Sequence, residues 1–325
     1  QPHKANLIAT YGSGPGGLVR SGHTDTVPFD EALWGCNPLA LTEKDNRLYG
    51  LGSSDMKGFF ALVHAAVQPL LTEKFKAPLI ILATADEESS MDGARALVQQ
   101  GRSLGRHAVI GEPTGLRPIN RHKGILMERL QVQGQSGHSS NPALGRNALE
   151  AMHEMISALL QFRGQLQQRY RDPHFAIDVP TLNLGSIHGG DNPNRICGHC
   201  GLEFDVRMLP GMKSVEVRND IRALLEPIAT RHRVEFTFTP LFAGTEAFAN
   251  DNSELLHVCE ALTGHSGQSV AFGTEAPFLQ QLGMDTLVLG PGSIDVAHQP
   301  NEYMALDQVQ PCITLLQSLV RRFCL

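Results

Sequence analysis

The sequence predicts an α/β fold built in two parts, on three observations. Four short apolar runs each hand over to polar, chemistry-bearing residues; segments of helical period separate them; and a long stretch of strands and helices without such residues interrupts the series before the last run.

The runs come in order. Residues 17–22 (GLVRSG) lead into His23-Thr24-Asp25, 78–85 (PLIILATA) into Asp86-Glu87-Glu88, 107–111 (HAVIG) into Glu112-Pro113, and 285–290 (DTLVLG) into the loop that carries His298. Each has the length and apolar content of a buried strand. Open α/β sheets bind ligands beyond the carboxyl ends of their strands, which is where these residues fall. Asp55 lies instead in the turn 52–58 (GSSDMKG), ahead of a helix expected over 59–71 from its Phe59, Leu62, Val63, Ala66, Leu70 spacing. A loop carboxylate at a helix start can face the same edge. A further helix is expected near 91–100, where the alternative for Asp86-Glu87-Glu88 is a solvated acidic turn.

His23, Asp55, Glu87, Glu88, Glu112 and His298 form a borderline-hard donor set suited to zinc, cobalt or manganese. With Asp55 bridging two metals, His23 and Glu112 serve one and Glu88 and His298 the other. Two divalent cations are then balanced by three carboxylates and a bridging hydroxide, as a dry pocket requires. Glu87 is left as general base, provided a turn lets it point away from the direction of Glu88. Asp25 can accept the second imidazole N–H of His23 and fix its tautomer.

These residues stand in motifs that resemble a known family. The segments are 21–28 (SGHTDTVP), 49–58 (YGLGSSDMKG), 84–88 (TADEE), 110–113 (IGEP), 134–140 (GQSGHSS), 189–197 (GGDNPNRIC), 274–277 (TEAP), 290–293 (GPGS) and 298–303 (HQPNEY). They are similar to those of the acetylornithine deacetylase, succinyl-diaminopimelate desuccinylase and aminoacylase family of dinuclear zinc hydrolases, over the whole chain. The wording around the ligands looks most like the acetylornithine branch. The resemblance implies a zinc-peptidase-like catalytic domain, a mixed sheet flanked by helices, with an inserted α+β ferredoxin-like domain acting as lid and dimerisation surface. It implies two zinc ions, cobalt being the other candidate, a small N-acyl amino acid as substrate, a homodimer, and deacetylation of N2-acetyl-L-ornithine to L-ornithine and acetate in arginine biosynthesis. Deacylation of acetylcitrulline or succinyl-diaminopimelate, carboxypeptidase action, and an inactive metal-binding relative are the other readings. Family members begin with a further helix and edge strand, so a truncated chain is expected.

The domain boundaries follow from the pattern: catalytic residues over 1–123 and 241–325, and the insert over 124–240, with a helix over 147–161 and strands at 180–187 and 201–207. Within the insert, His138 lies in a Gly- and Ser-rich turn before a helix led by Pro142, and Asn194 and Arg207 lie on or beside strands. Taken alone, His138 reads equally as an exposed turn residue and Arg207 as a surface arginine. By resemblance, His138 reaches the partner's site to stabilise an oxyanion, and Asn194 and Arg207 bind the substrate α-carboxylate, chemistry that suits an imidazole donor and a guanidinium fork. Glu275 has two readings, a partner for the cationic end of ornithine or a helix-start residue. Arg117, Arg121 and Lys123 either meet a succinyl tail or form a solvated loop.

Composition sets the remaining limits. A chain of 325 residues with 42% hydrophobic content can bury a large core. A net charge of −6 argues against nucleic acid as the main partner. No apolar stretch reaches membrane-spanning length, and the first residues lack a secretion-signal layout. Six cysteines are too few for a disulfide scaffold, so a cytoplasmic location is expected, with Cys197 and Cys200 as free thiols rather than a zinc or redox pair. A serine hydrolase or a zincin is disfavoured: no G-x-S-x-G occurs, and His153-Glu154 lacks the second histidine of H-E-x-x-H.

Overall fold

The computed structural model describes residues 4–102 and 104–325, so Gln1, the expected start of the first catalytic segment, lies outside them. The chain divides into two compact units, one of Gln1–Arg121, Ala249–Ser269 and Thr274–Leu325, the other of His122–Phe248 and Val270–Gly273.

In chain order, the first segment gives β1 (Leu7–Tyr11), β2 (Leu18–His23), β3 (Thr42–Lys44), β4 (Arg47–Tyr49), α1 (Lys57–Val67), β5 (Leu79–Thr84), α2 (Asp92–Gln100), β6 (His107–Pro113) and β7 (Ile119–His122). The middle gives β8 (Gly124–Gln133), α3 (Ala148–Arg169), β9 (Thr181–Gly189), β10 (His199–Met208), α4 (Ser214–His232) and β11 (Glu235–Pro240). The last segment gives β12 (Phe248–Ala249), α5 (Glu254–Thr263), β13 (Gln268–Val270), α6 (Ala276–Gln281), β14 (Asp285–Gly290), β15 (Tyr303–Ala305) and α7 (Val309–Phe323).

The main sheet is mixed and runs β1-β5-β2-β6-β14-β7-β12, with β13 beside β7. Its four central strands, β5, β2, β6 and β14, are parallel neighbours, so their carboxyl ends share one edge. Burial explains their near-continuous apolar sequences: every residue of β2 and β6 is buried, as parallel strands covered by helices require. Leu18, Val109 and Leu287 pack with α1, α5 and α7 through Phe59, Val63, Leu256, Leu316 and Leu319. Gly111 permits that packing, because a Cβ there would lie 2.2 Å from the Phe59 ring. A smaller cluster joins Met91 and Ala94 to Phe278 of α6.

The second unit is a four-stranded antiparallel sheet ordered β11-β8-β10-β9. With α3 and α4 as its two crossovers, the βαββαβ order is ferredoxin-like. Alternating burial along β8 and β10 turns one face onto the helices, where Leu126, Leu130, Phe204 and Val206 meet Met152, Leu159, Ile221 and Leu225.

Several expected boundaries move. The insert was expected to end at 240, but its unit continues to Phe248 because Thr245 and Ile125 exchange backbone hydrogen bonds of 2.8 and 2.9 Å. The first helix starts at Lys57 and ends at Val67, where Pro69 turns the chain into a 3-10 segment. The helix of the insert runs on to Arg169, since Phe162 and Leu166 continue its buried stripe. Pro142 leads only a three-residue 3-10 turn, which ends at Gly145.

Candidate metal centre

The sheet edge collects the predicted residues of the first unit. His23 ends β2 and is 1% exposed, and Glu112 lies at the end of β6 and is 5% exposed. After β5, Asp86 takes a left-handed conformation (φ 65°), one that Asp tolerates better than most residues. The chain turns there, and the Asp86 carbonyl accepts the N–H groups of Ser90 and Met91 at 3.0 and 2.6 Å. Glu87 and Glu88 thus leave the strand on a turn and are freed from its alternation. His298 also has positive φ, 60°, and is the exposed member of the group.

Asp55 sits at the centre. Its Oδ1 lies 3.0 Å from His23 Nε2 and its Oδ2 lies 3.3 Å from His298 Nε2, so one carboxylate serves two imidazoles through separate oxygens. Glu88 adds a contact of 3.1 Å to His298. Among the described residues, two groupings bring donor atoms within 4.8 Å of one another: His23, Asp55 and Glu88, and His23, Glu87 and Glu112.

The electrostatics fit divalent cations. Burial, together with the charge of Asp55, pushes Glu112 up to about 8. Burial and the charge of Glu112 push Glu87 well above the usual carboxylate range, and burial raises Glu275 to about 7 against the opposing Thr84 hydrogen bond. Burial alone would lower His23, yet its hydrogen bond to Asp55 and the charges of Glu112 and Glu87 lift it to about 11. His298 rises to about 9, chiefly through its hydrogen bond to Asp55. Protons thus do what positive charge must do in this pocket. Oxygen and imidazole donors are those that zinc, cobalt or manganese take up in exchange for protons.

Asp25 differs from expectation. The His23 Nδ1 partner is the Asp25 backbone carbonyl at 2.9 Å, while the nearer carboxylate oxygen is 3.8 Å away. That carboxylate instead accepts the N–H groups of Glu87 and Glu88, at 3.3 and 3.1 Å, one on each oxygen. The turn after β5 offers two free N–H donors beside it, and they take up both oxygens. Glu275 differs too. It occupies the N-cap position of α6 without making a side-chain cap, is 1% exposed, and accepts a 2.9 Å hydrogen bond from Thr84 Oγ1. Its Oε1 is buried without a hydrogen-bond partner.

Sequence reasoning assigned no role to Glu302, in the stretch after His298. Its carboxylate, 2% exposed, accepts the N–H groups of Gly52, Ser54 and Asp55 at 3.0, 2.8 and 2.8 Å. The available signal was the Gly- and Ser-rich turn itself, a run of backbone donors with no strand partner.

In the second unit, His138 and Asn194 lie on paired stretches, linked by the His138–Arg195 bridge and by a 3.0 Å hydrogen bond from Ser139 N–H to the Asn194 carbonyl. His138 is exposed, and its Nδ1 accepts the N–H of Ser140 at 3.2 Å and faces that residue's hydroxyl at 2.7 Å. Arg207 lies at the far end of β10 and donates to Asp205 at 3.0 Å. Lys123 is not a solvated residue: it is 3% exposed and donates to the carbonyls of Ile177 and Val179. Cys197 and Cys200 are both buried free thiols.

The chain is similar to known proteins along nearly its whole length. The chain is 49% identical to the acetylornithine deacetylase of Edwardsiella ictaluri, over 99% of this chain and 84% of that protein. It is 47% identical to the acetylornithine deacetylase of Vibrio atlanticus, over 100% of this chain and 86% of that protein. In fold it is similar to the aminopeptidase PepT of Bacillus cereus, with TM-score 0.75 and 19% identity over 97% of this chain and 84% of the other. It is also similar to a dinuclear metal binding peptidase of Bacillus subtilis, YXEP, with TM-score 0.68 and 15% identity over 98% and 85%. The profile of peptidase family M20/M25/M40 matches residues 19–322, and the chain belongs to that family.

Proposed function

We propose that this chain is a metal-dependent amide hydrolase that removes the acetyl group from N2-acetyl-L-ornithine, releasing acetate and L-ornithine, the step that serves arginine biosynthesis in the cytoplasm. The observation that carries the chemistry is the Asp55 carboxylate shared between His23 and His298. The near full-length identity to proteins named acetylornithine deacetylase supports the substrate.

His23, Glu88, Glu112 and His298 would be the terminal ligands of the metals, with Asp55 as the ligand shared between them. Two zinc ions, or cobalt in their place, would polarise the acyl carbonyl and make a water acidic enough to attack near neutral pH. Glu87 accepts the proton from the attacking water and delivers it to the amine nitrogen as the C–N bond breaks. Asp25 positions Glu87 and Glu88 together through their backbone N–H groups. Glu275 offers its unpaired Oε1 to the cationic end of ornithine. Replacing it with Gln should raise KM for acetylornithine while sparing neutral N-acetyl amino acids; equal effects on both would remove it from substrate recognition.

His138 donates to the oxyanion, and Asn194 and Arg207 hold the α-carboxylate. Asn194 precedes β10 and Arg207 lies at its far end, so the pair is supplied by two copies, as a homodimer. No helix among the described residues is long and apolar enough to cross a membrane.

The test is turnover of N-acetyl-L-ornithine, N-acetylcitrulline and N-succinyl-diaminopimelate with zinc or cobalt added, beside a chelated control. Chelator-sensitive preference for acetylornithine is expected. Preference for another of the three would replace the substrate while keeping the chemistry, and turnover that survives chelation would overturn both.

A further inference from the structure

The turn that carries Asp55 has little secondary structure to hold it. Between Tyr49 and Lys57 its backbone makes short turn contacts, Ser53 N–H to Gly50 carbonyl at 3.0 Å and Gly58 N–H to Gly52 carbonyl at 2.9 Å. The N–H groups of Gly52, Ser54 and Asp55 are turned the other way and need an acceptor, because buried backbone donors are costly to leave unpaired. All three find the same side chain, Glu302, which uses both carboxylate oxygens.

Glu302 comes from the other arm of the centre, the segment that follows β14 and carries His298. Its backbone joins the same seam: the Gly50 N–H donates to the Glu302 carbonyl at 3.1 Å, and β15, which starts at the next residue, pairs antiparallel with β4 just before the Asp55 turn. A second stitch lies at Ser54, whose Oγ accepts the Ser293 N–H at 3.1 Å. Gly292, with φ 86°, makes room for it, since a Cβ there would lie 2.1 Å from that Oγ. The arms bearing Asp55 and His298 lie far apart in sequence and meet through these contacts.

We propose that Glu302 is a positioning residue for the metal centre: by gripping the Gly52, Ser54 and Asp55 amides from the His298 arm, it sets how the Asp55 carboxylate is presented between His23 and His298. The inference rests on the reading of Asp55 as the shared ligand. Charge-assisted hydrogen bonds from amides to a carboxylate are strong and directional, so the grip fixes orientation as well as distance. Partners that orient metal ligands typically change metal affinity 10- to 100-fold when lost.

The experiment titrates Zn(II) alone against a chromophoric competitor in the full chain, for the starting protein, Glu302→Gln, Glu302→Asp and His23→Ala, with the melting midpoint of each metal-free protein measured in parallel. Gln keeps the shape but offers one acceptor oxygen, and its NH2 faces an amide donor. Glu302→Gln should bind zinc about 10- to 100-fold more weakly. Asp, which keeps the charge on a shorter arm, should restore part of the affinity. A merely structural role predicts a lower midpoint with unchanged zinc affinity, and that result overturns the proposal. If the Gln variant does not fold, Glu302→Asp is read by the same criterion; if neither folds, Glu302 is a folding residue and the proposal fails. Unchanged zinc binding in His23→Ala would mark failure of the metal-site reading itself, independently of Glu302.

Discussion

Replacing Glu87 with Gln tests the central assignment most sharply, because the structure allows Glu87 two roles. Its carboxylate lies in one donor grouping with His23 and Glu112, where a ligand would also stand. The substitution is nearly isosteric, and the backbone of residue 87 stays held by the Asp25 carboxylate, so the turn should persist. What changes is the proton acceptor and one negative charge beside Glu112. Loss of a general base costs about 10²- to 10⁴-fold in turnover, or about 2.7–5.4 kcal/mol in activation free energy. The assay pairs kcat for acetylornithine with metal content measured by elemental analysis after gel filtration. A general base predicts two metals retained, turnover down by that factor, and KM little changed. A ligand predicts loss of one metal. Turnover within tenfold of the starting enzyme would refute the role altogether.

Three further outcomes are expected. In the chelated protein, Glu112 (about 8) and Glu275 (about 7) keep protons that unfolded carboxyls release near 4.5, and His23 (about 11) and His298 (about 9) keep protons that unfolded imidazoles release near 6.5. The native state then binds more protons than the unfolded one, so stability falls as pH rises, through the range from about 4.5 to 8 for the acids and from about 6.5 to 11 for the histidines. Asp55, lowered to about 2 mainly by its hydrogen bonds to the two histidines against the pull of burial, acts only below that window. Thermal scans between about pH 6 and 9 should show a declining midpoint in chelator and a flatter one with zinc, and a rising midpoint in chelator would contradict the charge account. Gly111→Ala forces a methyl group against Phe59 and should cost about 1–3 kcal/mol, partly relieved by adding Phe59→Leu; denaturant unfolding without a loss would show that α1 yields freely. Mixing inactive His138→Ala with inactive Glu87→Gln should restore some activity, as one intact site can assemble across two copies, and no recovery would count against a contribution from the partner subunit.

Much of the sheet edge was legible because parallel strands buried on both faces read as unbroken apolar runs, and the residues that end them stand out. β2, β5, β6 and β14 each begin within a residue of the expected start. The Asp55 turn was legible for a different reason: its glycines and serines announce a loop before a periodic helix. Side-chain destinations were harder. Asp25 was expected to reach an imidazole, but two amides of the turn after β5 lie in its path, and that turn exists only because Asp86 adopts positive φ. Glu275 stands where a helix-start residue belongs, yet it points inward to Thr84, which spacing cannot reveal. Glu302 is a long-range acceptor whose partners lie near the other end of the chain, and neither period nor spacing encodes that match.

The position of β14 has a consequence for how the molecule is made. The last long strand of the chain takes a place inside the sheet, between β6 and β7, rather than at its margin. While the ribosome synthesises the residues between β6 and β14, one side of β6 has no strand beside it, for on the order of ten to thirty seconds at 5–20 residues per second. The ferredoxin-like unit is complete in sequence before that gap can close. His298 emerges later still, so the centre acquires its second imidazole only after β14 has been made. The waiting edge of β6 is therefore the surface that chaperones have most reason to cover.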